Sequence, residues 1–286
     1  MKISDILKTR TVTVSCELFP PKAGKPLENT RQVVRKIADL SPSFMSVTYG
    51  AGGTNADNSL EIAKEVLDAG QTALAHLTCV GMTEEKLPEV LEGFRLNGVE
   101  NILALRGDIP EGQDYPTAYP HASDLITAIR KNYDFCIGGA CYPEGHPESR
   151  NSVADIEGVK RKVDAGCEFL TTQMFFDNNI LYSYMFRLLK NGIDVPVLAG
   201  VMPVTNAKQL TRIGGLSGTA VPPRFRAIVD RFADKPASME QAGIAYATEQ
   251  IIDLIANDFT HIHIYTMNRP HIAAKIMENL SEIIGA

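Results

Sequence analysis

An α/β chain closing eight parallel strands into a single (β/α)8 TIM barrel is what this sequence predicts, on three observations. Eight short runs rich in apolar and β-branched residues recur along its 286 residues, amphipathic segments separate them, and no long polar linker interrupts the alternation. The repeat averages about 36 residues, enough for a strand, a helix and their loops. The expected strands cover residues 11–18, 44–48, 72–79, 101–105, 135–142, 169–173, 195–201 and 260–265. Several are apolar through the middle, the pattern of a strand covered on both faces.

The helices follow from period and caps. In Leu60-Glu61-Ile62-Ala63-Lys64-Glu65-Val66-Leu67 apolar residues recur near every 3.6 positions, and the same spacing runs from Val153 to Val163. Ser152 and Asp155 read as the N-cap and a first-turn acid of that second helix. Gly70, Gly98, Gly166 and Gly192 each end a helical pattern and precede a strand, where a left-handed C-cap is expected. The stretch from Val204 to Asn257 is too long for one unit and predicts two or three extra helices between strands seven and eight. The competing fold, a doubly wound open sheet, would carry a G-x-G-x-x-G turn after an early strand. The nearest run, Gly50-Ala51-Gly52-Gly53, lacks that spacing and reads as a loop where backbone approaches a ligand or turns sharply. Residues 1–286 thus read as one barrel domain.

Composition narrows the function classes. With 44% hydrophobic and 22% charged residues the chain is not disordered, collagen-like or a disulfide scaffold. A net charge of −6 argues against a general nucleic-acid binder, which would present a basic face. No apolar run is long enough to span a membrane, and Met1-Lys2-Ile3-Ser4-Asp5 lacks a signal-peptide core, so a cytoplasmic protein is expected. Cys16, Cys79, Cys136, Cys141 and Cys167 form no C-x-x-C pair and read as buried, inert thiols in a reducing compartment. Cys136 and Cys141, five apart on one strand, should face opposite sides.

Chemistry in such a barrel sits at the C-terminal strand ends, and seven of the eight expected ends carry polar or ionisable groups: Glu17, Thr48-Tyr49, His76 with Thr78, Arg106-Gly107-Asp108, Tyr142-Pro143-Glu144-Gly145-His146, Gln173, and Thr266-Met267-Asn268-Arg269. Glu17 lies in an otherwise apolar strand. A carboxyl buried without a cation favours its protonated form and suits a general acid; an ion pair with Arg106 is the rival reading. Asp108 follows a glycine and could instead shape a turn. His76 could be a satisfied core histidine, Gln173 could bond neighbouring backbone, and Lys160-Arg161-Lys162 could be a solvated helix face of which one or two members reach a site. Glu17, Asp108 and His76 could together hold Mg²⁺ or Zn²⁺ in a barrel lyase, but no H-x-H or H-E-x-x-H pair is present and no metal centre is expected. No lysine stands at a strand end for Schiff-base chemistry.

The strand-end strings go further when taken in order: Glu17-Leu18-Phe19-Pro20-Pro21-Lys22, Ser46-Val47-Thr48-Tyr49-Gly50-Ala51, Ala75-His76-Leu77-Thr78-Cys79, Ala104-Leu105-Arg106-Gly107-Asp108, Ala122-Ser123-Asp124-Leu125, Tyr142 to Glu148, Lys160 to Gly166, Gln173-Met174-Phe175-Phe176-Asp177 and Tyr265-Thr266-Met267-Asn268-Arg269. Over almost the whole chain they resemble the methylenetetrahydrofolate reductase family in its bacterial form, a catalytic barrel alone. The resemblance implies an FAD-containing barrel that reduces 5,10-methylenetetrahydrofolate to 5-methyltetrahydrofolate, bacterial members usually drawing electrons from NADH. It implies that Glu17 is the general acid at N10, opening the ring to an iminium that takes hydride from the reduced flavin. Asp108 would lie near the flavin and contact the pterin. Thr48, Tyr49, Ala51, His76, Arg106, Gly107, Ala122, Tyr142, His146, Asp155, Arg161 and Lys162 match FAD-site positions, and Gln173 and Arg269 match folate-site positions, Arg269 suiting a tail carboxylate. Two residues depart from the family pattern. Ala207 stands where NADH-using members carry an aromatic that stacks on the nicotinamide, and His121 replaces a tyrosine before Ala122. Ala207 leaves the donor open between NADH or NADPH and a partner subunit or ferredoxin, as in relatives that act as the flavin-binding part of a complex. A homo- or hetero-oligomer is expected.

Overall fold

The computed structural model describes residues 1–9, 12–21, 26–49, 56–109, 117–210, 213 and 218–285. Ala51 and the rest of the glycine-rich run Gly50–Gly53 lie outside the described residues. Eight strands form: β1 Thr13–Leu18, β2 Met45–Val47, β3 Ala73–Thr78, β4 Asn101–Leu105, β5 Cys136–Cys141, β6 Phe169–Thr172, β7 Val197–Val201 and β8 His261–Ile264. Each falls within two residues of its expected ends. Every neighbouring pair is parallel, and β8 returns to β1 to close the barrel.

Around it stand α1 Ile3–Thr9, α2 Glu28–Ala38, α3 Ala56–Asp68, α4 Lys86–Leu96, α5 Ala122–Arg130, α6 Ser152–Asp164, α7 Asn178–Lys190, α8 Pro223–Phe232, α9 Pro236–Ala256, α10 Pro270–Asn279 and α11 Ser281–Ile284. The segment between β7 and β8 holds α8 and α9 among the described residues, and residues 207–210 are helical as well. Gly70, Gly98, Gly166 and Gly192 all take positive φ at the helix-to-strand joints, as expected. The cap of α6 differs from expectation. Asn151, not Ser152, accepts the Ala154 N–H through its side chain, because Asn151 keeps the extended backbone a cap requires while Ser152 is already helical.

Strand alternation divides the side chains. Cys16, Leu18, Val47, Leu77, Ala104 and Ile137 point outward into one apolar layer beneath the helices. A second, interior cluster fills the N-terminal end of the barrel: Phe44, Leu74, Leu103, Cys136, Phe169 and Leu198, capped by Ile3, Ile6 and Leu7 of α1. Cys136 therefore faces inward and Cys141 outward, and all five cysteines are buried and unbridged. The plug is tied down by polar contacts: the Ile3 N–H donates to Asn101 Oδ1 at 2.8 Å, and the Asn101 amide donates to the Ala73 carbonyl at 3.1 Å. No helix among the described residues is long and apolar enough to cross a membrane.

Candidate active site

The strand period that fills the lower barrel with apolar groups brings polar ones inward two residues later. On β1, Ser15 and Glu17 point inward; on β3, His76; on β8, His263. All are buried, Glu17 at 6%, His76 at 4% and His263 at 2% exposure. Glu17 Oε2 lies 3.8 Å from Nε2 of both His76 and His263. Parallel register sets Ser15 beside His263 and Glu17 beside Ser46, so Ser15 Oγ lies 2.8 Å from His263 Nδ1 and Ser46 Oγ 3.5 Å from its Nε2. Among the described residues the His76 Nε2 has no hydrogen-bond partner. Burial pushes the His76 imidazole down to about 4 against the pull of Glu17, so the ring is neutral near pH 7. The Tyr265 hydroxyl donates to the Thr172 carbonyl at 2.5 Å, and burial holds this phenol well above its ordinary value.

A second group gathers around the β4 and β5 ends. Gly107 has φ +86°, and a Cβ there would come 3.1 Å from the Thr78 Cβ, so the chain is pressed against β3 in a conformation that favours glycine. Arg106 Nε donates to the Gly107 carbonyl at 3.2 Å and its guanidinium takes the Glu148 carboxylate in a two-pronged pair. The alternative of an Arg106–Glu17 pair is thus not what forms; Arg106 turns to the β5–α6 loop, where an acid is within reach. Tyr142 is pushed up to about 12, chiefly by burial, and meets the His146 ring edge-on at 4.6 Å. Asp155, in the first turn of α6, accepts the His146 N–H at 3.1 Å and the Ser149 hydroxyl at 3.0 Å. Lys162 reaches inward from α6 to donate to the Ala140 carbonyl, and burial lowers its ammonium. A cleft of about 340 Å³ opens beside this loop, lined by Glu144, His146, Ser149, Asn151 and Gly218.

The third group is on the opposite side. Arg269, at the N-terminus of α10, donates to the Thr205 hydroxyl and to the Glu240 carboxylate of α9, and His271 Nε2 lies 3.4 Å from that same acid. Gly243, one turn beyond Glu240, packs so closely on the loop after β7 that a Cβ would overlap the Val204 carbonyl oxygen. That contact holds Thr205 and Glu240 in register around Arg269.

The remaining expected residues divide. Thr48 is anchored by its backbone, its N–H on the Leu18 carbonyl at 3.0 Å and its carbonyl on the Ser59 hydroxyl at 2.9 Å, and Tyr49 beside it is buried. Ala122 is buried at the start of α5, where Asp124 accepts the His121 N–H at 2.9 Å. Gln173 bonds local backbone, its N–H on Cys141 and its Oε1 on the Met174 N–H. Asp108 and Arg161 are exposed, so of the basic run only Lys162 turns to the sheet, while Lys160 pairs with Asp164 on the surface. Among the described residues no three His, Cys, Asp or Glu side chains converge as a metal site. Sequence reasoning missed His263, Ser15 and Glu240. The signal for His263 was present, since His261-Ile262-His263-Ile264-Tyr265 alternates polar and apolar on one strand.

A closed parallel barrel with a buried carboxyl between two histidines at its C-terminal mouth has the architecture of a barrel enzyme. Residues 2–281 match the family model of methylenetetrahydrofolate reductase, and the chain belongs to that family of oxidoreductases. It is 34% identical over 270 residues to the 5,10-methylenetetrahydrofolate reductase of Escherichia coli, covering 94% of this chain and 90% of that one. It is 35% identical to methylenetetrahydrofolate reductase (NADH) 1 of Arabidopsis thaliana over 99% of this chain, and spans 51% of the length of that plant relative. A Clostridium thermocellum protein whose structure is described as binding two copies of 5-methyl-5,6,7,8-tetrahydrofolic acid shares the fold, with a TM-score of 0.67 at 15% identity, covering 99% of this chain and 98% of that one.

Proposed function

We propose that this chain, acting as one FAD-binding barrel domain, reduces 5,10-methylenetetrahydrofolate to 5-methyltetrahydrofolate with Glu17 as general acid. The observation that carries this is Glu17 itself: a carboxyl buried at the barrel mouth, with no Lys or Arg ion-paired to it among the described residues. The residues present fit FAD. The buried His76 Nε2 lacks a hydrogen-bond partner among the described residues, Gly107 keeps a strand end free of side chain, and Arg106, Lys162 and His146 supply donors for an anionic group. Thr48, Tyr49, Ala51, His76, Arg106, Gly107, Asp108, Ala122, Tyr142, His146, Asp155, Arg161 and Lys162 would hold it. When bound, FAD supplies the hydride. Glu17 holds the proton destined for N10, and Asp108 contacts both folate and cofactor. Gln173 orients the folate, and Arg269 exchanges its internal carboxylate, Glu240, for one on the folate tail.

A second reading concerns the electron source. Ala207 offers no ring to stack on a nicotinamide, and Phe176 and Phe225 of the cluster it packs on are buried against each other, ring centroids 5.1 Å apart. Electrons then arrive from a partner subunit or ferredoxin rather than from NADH or NADPH. Anaerobic stopped-flow spectroscopy of the flavin with NADH, NADPH and methyltetrahydrofolate in turn separates the two. Reduction by methyltetrahydrofolate is expected, and a chain that binds no flavin ends the first reading. Rapid reduction by NADH ends the second.

A further inference from the structure

The register of β1 on β8 runs from Thr13 beside His261 to Cys16 beside Ile264 and stops there. Beyond it, at the barrel mouth, side chains of the turn Thr266–Arg269 take over. The Thr266 hydroxyl donates to the Glu17 carbonyl at 2.6 Å and accepts the Asn268 N–H at 3.2 Å. The Asn268 amide then meets both backbone groups of Phe19. Its Oδ1 accepts the Phe19 N–H at 2.9 Å, and its Nδ2 donates to the Phe19 carbonyl at 2.7 Å. Donor faces acceptor at both ends, so the contacts themselves fix which way the amide points.

The turn that carries this amide is strained. The Arg269 N–H closes it on the Thr266 carbonyl at 2.9 Å, and both central residues are left-handed, Met267 at φ +52° and Asn268 at φ +55°. Such turns favour asparagine or glycine, which Asn268 satisfies and Met267 does not. A backbone of this kind persists where its surroundings over-determine it, and here they are the Glu17 and Phe19 main chain. The turn also stands between two groups given roles in the reaction. Glu17 lies two residues before Phe19, and Arg269 directly follows Asn268. Pairing with Ser46 of β2 holds the Glu17 backbone independently of the turn. The Arg269 guanidinium is held by Thr205 and Glu240, and Asn268 ties its backbone to β1.

We propose that Asn268 is a positioning residue: its amide joins the end of β1 to the strained turn and so sets Arg269, the anchor of the folate tail, at a fixed distance from Glu17. The proposal rests on the roles given above to Glu17 and Arg269.

The test compares two substrates in the reduced, flavin-loaded protein: methylenetetrahydrofolate, and methylenetetrahydropteroate, which keeps the pterin and the aminobenzoyl group but lacks the glutamate tail. Asn268→Gly keeps the left-handed backbone free of strain and removes only the amide. It should lower kcat/KM for flavin reoxidation by methylenetetrahydrofolate about thirty-fold, and leave the tail-less substrate close to its wild-type rate. Asn268→Asp keeps the acceptor for the Phe19 N–H but sets an oxygen against the Phe19 carbonyl. It should show the same selective loss, smaller in size, and carries the comparison if Asn268→Gly does not fold. Equal losses on both substrates mark a merely structural role and overturn the proposal, as do wild-type rates on both. Arg269→Ala, alone and combined with Asn268→Gly, separates the two claims. The double variant should be no slower than Arg269→Ala alone, and additive losses overturn the proposal. Unchanged folate affinity in Arg269→Ala removes the tail-anchor reading itself, whereas a weakened Arg269→Ala beside a fully active Asn268→Gly removes only the role of Asn268.

Discussion

On β3, Leu74 and His76 point into the same barrel interior two residues apart, yet Leu74 belongs to the apolar plug under α1 and His76 to the polar centre around Glu17. β8 shows the same change of company, with His263 facing Glu17 and Tyr265 beyond it reaching the Thr172 carbonyl. The lower layer gains by removing apolar area from water, about 25 cal/mol per Å². The upper layer gives up that gain, because a buried polar group costs free energy unless a partner satisfies it. Apolar packing and the polar group are thereby separated along the barrel axis, one strand step apart.

Breaking either layer should have effects of a different kind. At the upper layer, Glu17→Gln should lower the folate half-reaction by about 10²- to 10⁴-fold while flavin content and unfolding midpoint stay near wild type; a loss of stability comparable to the loss of rate would show that Glu17 is mainly structural. At the lower layer, Phe169→Ala should cost about 3–5 kcal/mol in denaturant unfolding, with folate affinity of the folded fraction unchanged. His76 links the layers through pH. Its folded value is depressed to about 4 from an ordinary 6.5, so the unfolded chain takes up a proton that the folded one refuses. Its contribution is complete above pH 6.5 and is lost as pH falls toward about 4, on the order of 3 kcal/mol. His76→Gln should flatten the stability–pH curve in that window, and an unchanged curve would place the acid sensitivity elsewhere. Gly107→Ala should cost about 1–2 kcal/mol, from its positive φ, and weaken flavin retention. The smallest effect belongs to the rim: Glu148→Gln should change stability by less than about 1 kcal/mol, because Glu148 is exposed. Its informative readout is flavin affinity, which rises if Glu148 competes with the cofactor for Arg106.

The contrast also shows what could be read in advance. The eight strands were legible because each is a short apolar run whose ends are marked by glycine or polar residues, and the same ends exposed Glu17, His76, Arg106, Tyr142 and Arg269 as candidates. The α1 plug was not recognised, although Ile3, Ile6 and Leu7 have helical spacing, since a seven-residue helix gives too short a pattern to separate from a frayed terminus. The partner of Arg106, left open between Glu17 as a rival reading and none, was not legible for a different reason. Glu17 and Glu148 are both acids distant in sequence, and only the path of the β5–α6 loop brings Glu148 to the guanidinium.

By itself the sequence determined the strand–helix repeat, the inward and outward faces and the residue types at the barrel mouth, because these follow from local period and from the chemistry of single side chains. Only the tertiary structure decided which groups meet: Ser15 with His263 across 248 positions, Glu17 between two histidines, Arg269 with Glu240. Barrel closure and parallel register set those pairings, and hydrogen bonds and charges act over a few ångströms of space whatever the separation along the chain.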